Sequence, residues 1–289
     1  MNTINTQTNQ LDKFYTIPTC SKRCIDKIED LYGDYSKWDM VIEPSAGNGS
    51  FLKQIPTTQK IGLDIEPECD DIQRQDFLQY SYSSHINQKV LVIGNPPFGR
   101  ISSLAIKFFN HAAINCGCDV IAFIVPRTFR KVSVQNKLSP SFHLLYDEDI
   151  LTTPCQFTPK MMAKCCFQVW EKRSENRSHI YLPTFHEHWQ FLGFGPKDQV
   201  GQPTPPEGAD FAIRAYGGKI GEVQKENLHL LRPKSWHWIK VNKEKIDKVT
   251  LINKLKCLDY SGSLNTARQN SMGRAELVNL YSIFLNSER

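Results

Sequence analysis

Long apolar runs are missing from this 289-residue chain. No stretch approaches the roughly 18 consecutive apolar residues of a membrane-spanning helix, so no helical membrane protein is expected. Met1 to Gln10 is polar and uncharged. It lacks the basic-then-apolar pattern of a secretory leader and reads as a flexible tail, residues 1–10. The nine cysteines include no C-x-x-C pair. Cys116-x-Cys118 and His186-x-His188 have no second pair at finger-like spacing, so no metal centre is expected. An odd number of cysteines, several in apolar patterns, argues against a disulfide scaffold. It fits a reduced, intracellular and cytoplasmic protein. No internal repeat is present. With 40% apolar and 22% charged residues, the composition is that of a folded globular protein rather than a disordered one.

Net charge is absent from the first part of the chain and concentrated in the rest. Residues 1–170 hold 17 Lys/Arg against 17 Asp/Glu, whereas residues 171–289 hold 18 against 13. A basic excess confined to one end is where a polyanion would be held by phosphate neutralisation.

The chemistry-bearing stretches lie in the neutral part. Val90-Leu91-Val92-Ile93-Gly94 reads as a strand buried on both faces, and Asn95-Pro96-Pro97-Phe98 follows it directly. Two prolines cannot extend the ladder and impose a rigid, extended exit. Asn95 and Phe98 are thereby held at the sheet edge where α/β proteins bind ligands. An amide beside a rigid carbonyl, with an aromatic face three residues on, suits a planar group bearing an NH2. Upstream, Val41 to Phe51 reads as strand, glycine turn, then helix from Ser50, with Gly47 and Gly49 letting backbone approach a ligand. A second strand, Lys60 to Leu63, ends in Asp64, where an acid binds ribose hydroxyls.

These stretches resemble the class I S-adenosylmethionine-dependent amino-methyltransferases of the NPPF/NPPY group, and among them the adenine-specific DNA methyltransferases. Leu11-Asp12-Lys13-Phe14-Tyr15-Thr16-Ile17-Pro18 is similar to that family's N-terminal motif, which packs over the methionine part of the cofactor. Glu43-Pro44-Ser45-Ala46-Gly47-Asn48-Gly49-Ser50-Phe51 resembles its first cofactor loop, Asp64-Ile65 its ribose and adenine contacts, and Asp76-Phe77 its contact to the cofactor's adenine. The resemblance spans roughly residues 11–172. It implies a Rossmann-like α/β fold with a mainly parallel, doubly wound, seven-stranded sheet, and S-adenosyl-L-methionine as cofactor. It also implies that Asn95 and the Pro96 carbonyl accept hydrogen bonds from the amino group being methylated, within the motif Asn95, Pro96, Pro97 and Phe98. Phe98 would stack on the target base and Phe157 would sandwich it. The implied partner is nucleic acid, DNA first and RNA second. An RNA adenine or guanine amino-methyltransferase, a protein glutamine methyltransferase and a catalytically silent nucleic-acid-binding subunit are three further readings of the same motifs. Pro154-Cys155 is worded like the nucleophile motif of cytosine carbon-5 methyltransferases. Those enzymes carry theirs where this chain has Asn95 to Phe98, so Cys155 reads as a packed thiol.

Further strands are expected at Val120–Val125, Phe142–Tyr146 and Cys165–Trp170, with helices from Thr19 or Cys20 to Tyr32 and over Leu104–Ile114, and a short helix closed by Gln135 to Leu138. The organisation expected is a catalytic domain over 11–192 and a Pro/Gly-rich linker over 193–208. A small α+β recognition module over 209–289 follows, with an amphipathic helix marked by Ile246, Val249, Ile252 and Leu255. There Arg214 and Lys219 would contact phosphates, and Trp236 and Trp238 read as core more readily than as stacking platforms.

Overall fold

The computed structural model describes residues 13–83 and 88–288. The tail 1–10 and the motif positions Leu11 and Asp12 lie outside the described residues. The chain divides into two compact units, the first running to Ser178 and the second beginning at His179.

In the first unit the elements are β1 (Tyr15–Thr16), α1 (Pro18–Tyr32), β2 (Met40–Glu43), β3 (Lys60–Asp64), β4 (Ile72–Arg74) and β5 (Val90–Gly94). Then come α2 (Ser103–Asn115), β6 (Val120–Pro126), the short α3 (Val132–Gln135), β7 (Phe142–Asp149), β8 (Phe157–Thr158) and β9 (Cys165–Lys172). Seven strands form one sheet in the order β4-β3-β2-β5-β6-β9-β7. Only β9 opposes its neighbours. This mainly parallel order, reversing direction between β2 and β5 and closed by an antiparallel pair, is the Rossmann-like class I methyltransferase fold.

Side-chain alternation explains why β5 is apolar throughout. Val90 and Val92 face one core, with Ala105, Phe108, Phe109 and Ala112 of α2. Leu91 and Ile93 face the other, with Cys20, Cys24, Ile25 and Ile28 of α1. A central strand covered on both faces has no polar side to present. Helix α1 starts with Pro18 at its first position and stops at Gly33, whose left-handed φ of 84° turns its N–H back to Glu29 O at 2.7 Å. That is the expected asymmetry of a proline start and a glycine stop.

One local expectation is corrected. The helix expected from Ser50 is only a 3-10 turn, Leu52–Gln54. Ile55 is already extended because it precedes Pro56, and a residue before proline is pushed out of the helical region. The short helix expected to close at Gln135 to Leu138 is Val132–Gln135, followed by a turn in which Leu138 N donates to Gln135 O.

The second unit is a four-stranded antiparallel sheet of β10 (Trp189–Leu192), β11 (Phe211–Arg214), β12 (Val223–Gln224) and β13 (Trp236–Val241), in the order β10-β13-β11-β12. Two helices follow, α4 (Lys248–Lys256) and α5 (Arg274–Ser287). Phe211, Ile213, Ile239 and Val241 share a core with Leu251, Leu255, Leu277 and Tyr281 of the helices. Ala212, Trp236 and Trp238 form a smaller core on the opposite face. Both tryptophans are therefore packed, and neither is a stacking platform. The first unit ends at Ser178 rather than at 192, because Trp189–Leu192 is the edge strand of this second sheet, paired with β13. The apolar face of α4 is also rotated from expectation. Leu251, Ile252 and Leu255 are buried, whereas Val249 is 67% exposed.

Candidate active site

A cavity of about 520 Å³ opens at the carboxyl ends of the parallel strands, within the roughly 300–1,000 Å³ of small-molecule sites. Four parallel strands, β2 to β5, contribute to its wall. Pro44, Ser45 and Gly47 follow β2, Asp64, Ile65 and Glu66 end or follow β3, Gln75 to Leu78 follow β4, and Asn95 to Gly99 follow β5. Lys13, Phe14 and Tyr15 close one side, with Leu104, Phe108 and Met161. This is the crevice that an open α/β sheet offers where its strand order reverses.

Asn95 is the best-defined polar group in the wall. Its Nδ2 donates to Phe14 O at 3.2 Å. A carbonyl only accepts, so this contact fixes which end of the amide is which. Oδ1 is thereby set on the other side, buried and without a hydrogen-bond partner. An unpaired buried acceptor costs about 1–3 kcal/mol and marks a place where a donor belongs. The main chain beside it is held as well, because Ser45 Oγ donates to Asn95 O at 3.0 Å. Phe98 lines the cavity, and its carbonyl accepts from Leu104 N and Ala105 N at 3.1 and 3.3 Å.

Asp64 shapes the first loop. Its Oδ2 accepts from Gly47 N at 2.8 Å, and its Oδ1 accepts from Glu66 N at 2.8 Å. Each carboxylate oxygen keeps a further lone pair. Gly47 has a left-handed φ of 51°, and a Cβ there would lie 2.6 Å from the Tyr15 ring. Only glycine combines that backbone with that approach. Asp76 accepts from Leu78 N at 2.9 Å and caps the turn Phe77–Gln79.

Glu43 has a different place from the one the sequence suggests. It is 2% exposed and outside the cavity wall. Its Oε2 accepts from Leu52 N at 2.8 Å, so it ties the glycine loop to the turn behind it. Burial pushes its pKa well above the ordinary carboxylate value, against the pull of the backbone N–H groups of Leu52 and Phe51. Ala46 and Phe51 are likewise buried in the cores rather than lining the cavity, and Gly49 turns the loop with φ 77°. Thr16 is buried, with its Oγ1 lacking a partner.

Phe157 does not line the cavity. It is 5% exposed, in the α1-side core, because β8 pairs antiparallel with β1 and turns the ring inward. Cys155 is also outside the wall, with its thiol directed at the carbonyls of Phe157 and Met161 at 3.5 Å. Arg214 and Lys219 belong to the second unit. Arg214 is engaged there, donating to Glu222 at 2.8 Å and lying 4.3 Å above the Trp236 ring, whereas Lys219 is exposed.

The structure adds partners for the N-terminal motif that sequence reasoning missed, Glu66 and Glu68. Lys13 pairs with Glu66 at 2.8 Å, and the Tyr15 hydroxyl donates to Glu68, so the segment 13–15 is strapped to the loop after β3. Burial, then the Glu68 contact, pushes the Tyr15 phenol upward. The acid run Asp64-Ile65-Glu66-Pro67-Glu68 facing a single Lys13 was the available signal. Met161 had none, since it reaches the wall from the link between β8 and β9.

No family model and no curated protein matches the chain. Solved structures similar to it include the 23S rRNA methyltransferase ErmE, 14% identical over 57% of this chain and 71% of that one, with a TM-score of 0.43. A putative RNA methyltransferase from Pyrococcus horikoshii, PH1948, is 15% identical over 56% and 87% of the two chains, with a TM-score of 0.41. The fold is defined by the strand order itself.

Proposed function

We propose that this protein is an S-adenosylmethionine-dependent methyltransferase acting on the exocyclic amino group of adenine in DNA. The observation that carries the reading is the Asn95 amide, with its NH2 end tied to Phe14 O and its Oδ1 buried without a donor. It stands at the exit of the central strand, next to two prolines and Phe98.

The cavity suits the cofactor in shape and in donor set. Asp64 offers carboxylate lone pairs at the tip of β3, the position that binds ribose hydroxyls. Ile65, Phe77 and Leu78 supply apolar wall for a flat ring, and Tyr15 and Gly47 approach closely on the loop side. S-adenosylmethionine, when bound, supplies a methyl group on a positively charged sulfur.

The chain's own residues then have a narrow task. An aromatic amine is a poor nucleophile because its lone pair is conjugated into the ring. Asn95 Oδ1 and the Pro96 carbonyl accept its two N–H bonds and draw the nitrogen towards tetrahedral geometry. The same acceptors stabilise the positive charge that develops there, and being fixed beforehand they need no reorganisation. Phe98 provides a face for the base, and positioning removes part of the entropic barrier. The methylated nitrogen is acidic and loses its proton to solvent, so no strong general base is required. Adenine in a duplex reaches such a site only by leaving the stack.

The test is transfer of labelled methyl from S-adenosylmethionine to duplex DNA, single-stranded DNA, total RNA and unstructured protein in parallel, with nucleoside analysis. Methyl on the adenine amino group of DNA is the expected product. Label on RNA reassigns the substrate and keeps the role of Asn95, whereas label on protein alone overturns the nucleic-acid reading. Asn95→Ala is expected to lower turnover by about 10²–10³-fold with cofactor binding retained, because the lost acceptor acts mainly in the transition state. Unchanged turnover would remove Asn95 from the mechanism.

A further inference from the structure

The turn leaving the Asn95 motif has a conformation that packing alone does not explain. Gly99 is left-handed at φ 66°, and two residues further on the chain returns to that region, Ile101 at φ 53° and ψ 40° and Ser102 at φ 60°. For a β-branched residue this is an outlier, and Asn or Gly would fit it better. Among the described residues the only other left-handed non-glycine is Asn227, a type that tolerates the conformation. Yet Ile101 gains no burial in return, since its side chain is 78% exposed.

The strain is held from both sides. Leu104 N and Ala105 N donate to Phe98 O, and Ser102, 3% exposed, has its hydroxyl 2.7 Å from that of Thr128 just past β6. The turn also sits on the rim of the cavity, for Phe98 and Gly99 before it and Leu104 after it all line the wall. Arg100, beside Ile101, is exposed. Over-determined strain next to a reactive motif is the usual mark of a functional constraint. Here its product is an apolar side chain projected into solvent beside the place where a base would enter.

We propose that Ile101 is an apolar wedge that fills the gap left in duplex DNA when the target base moves into the cavity, an inference that rests on the amino-methyl-transfer reading above. A base leaving the stack exposes two apolar base faces, and an isoleucine between them offsets part of the unstacking cost. Arg100 is placed to meet the adjoining phosphate. Single-stranded DNA has no such gap. The wedge therefore matters for paired substrate and not for unpaired substrate, which a merely structural role for the turn would not produce.

The experiment measures methyl transfer by the full chain to one preparation of bacterial genomic DNA, native and heat-denatured. The variants are Ile101→Ala, Ile101→Asn and Ile101→Met. Ile101→Ala and Ile101→Asn are expected to lose about tenfold or more in kcat/KM on native DNA and less than about twofold on denatured DNA, with Ile101→Met close to wild type. Ile101→Asn suits the left-handed backbone, so its melting temperature should equal or exceed wild type, which separates loss of the wedge from loss of the fold. Equal losses on both forms of DNA, or no loss on native DNA, would overturn the wedge and leave the reaction intact. No transfer by the wild type to either form would overturn the DNA-methylation reading itself, and the wedge with it.

Discussion

Glu43 shows how burial changes the meaning of a residue. In sequence it stands where a cofactor-loop acid is expected; in the structure it is an interior group bonded to the backbone of the turn behind the loop. Its raised pKa has a consequence for stability. Above the ordinary carboxylate value of 4.5, the folded state still binds the proton that the unfolded state has released. Stability therefore falls as pH rises through that window. Glu43→Gln keeps an acceptor for Leu52 N and has no charge to bury. Its melting temperature is expected to decline less than that of the wild type as pH is raised from 4.5 towards neutrality. Parallel decline in thermal melts of the two proteins would remove Glu43 as the source. Asn95 is the opposite case, a residue whose sequence position and structural environment agree. The proline pair already indicated a rigid exit, and the Phe14 carbonyl supplies the missing orientation.

At the scale of elements, the site is an assembly of loops that the sheet brings to one edge. The loop after β2 depends on Gly47, whose left-handed φ and contact with the Tyr15 ring leave no room for a side chain. Gly47→Ala is expected to cost about 1–2 kcal/mol from the backbone alone. Displacing Tyr15 should also weaken S-adenosylmethionine binding by about tenfold or more, equivalent to about 1.4 kcal/mol. Calorimetric titration checks this, and unchanged affinity would mean that Tyr15 does not cover the cofactor. Helices α1 and α2 were legible because their apolar spacing is matched by local signals, Pro18 and Gly33 for the first and a broad apolar face for the second. The stretch after Phe51 was not, because a glycine turn before the short amphipathic run Leu52 to Ile55 looks like a helix start until Pro56 ends it. The pairing of β8 with β1 was also invisible, since two-residue strands carry no periodicity. With that pairing Phe157 lies in the core and outside the cavity wall, which Met161 reaches instead.

At the scale of the whole molecule, charge and chemistry are divided between the halves of the chain. The neutral part carries the cavity, and the basic excess lies beyond residue 170. The second unit keeps some of its cations for itself, since Arg214 is held by Glu222 and the Trp236 face. Lys219 is the exposed residue of the two. On the nucleic-acid reading, Lys219→Gln should reduce the slope of log K against log salt by about 0.9, the contribution of one phosphate contact. Fluorescence titration with duplex DNA across a salt series measures it, and an unchanged slope would place the contacts elsewhere. Arg214→Ala is a poor substitute for this test, because it also strips a packed guanidinium from the tryptophan.

By itself the sequence determined the alternation of buried strands, the position of Asn95 to Phe98 at the end of a central strand, and the glycine loop and acid that precede it. These follow from short-range rules, such as runs without a polar face, prolines that end a ladder, and glycines where φ is positive. Only the tertiary structure decided which residues reach the cavity. Glu43 and Phe157 turn into the interior, while Lys13 meets Glu66 and Tyr15 meets Glu68 from far along the chain. The strained Ile101 likewise stands out only once the turn is seen held between Phe98 and Thr128. The physical reason is the same in each case. Periodicity specifies the face a residue takes on its own element, and strand order specifies what that face meets.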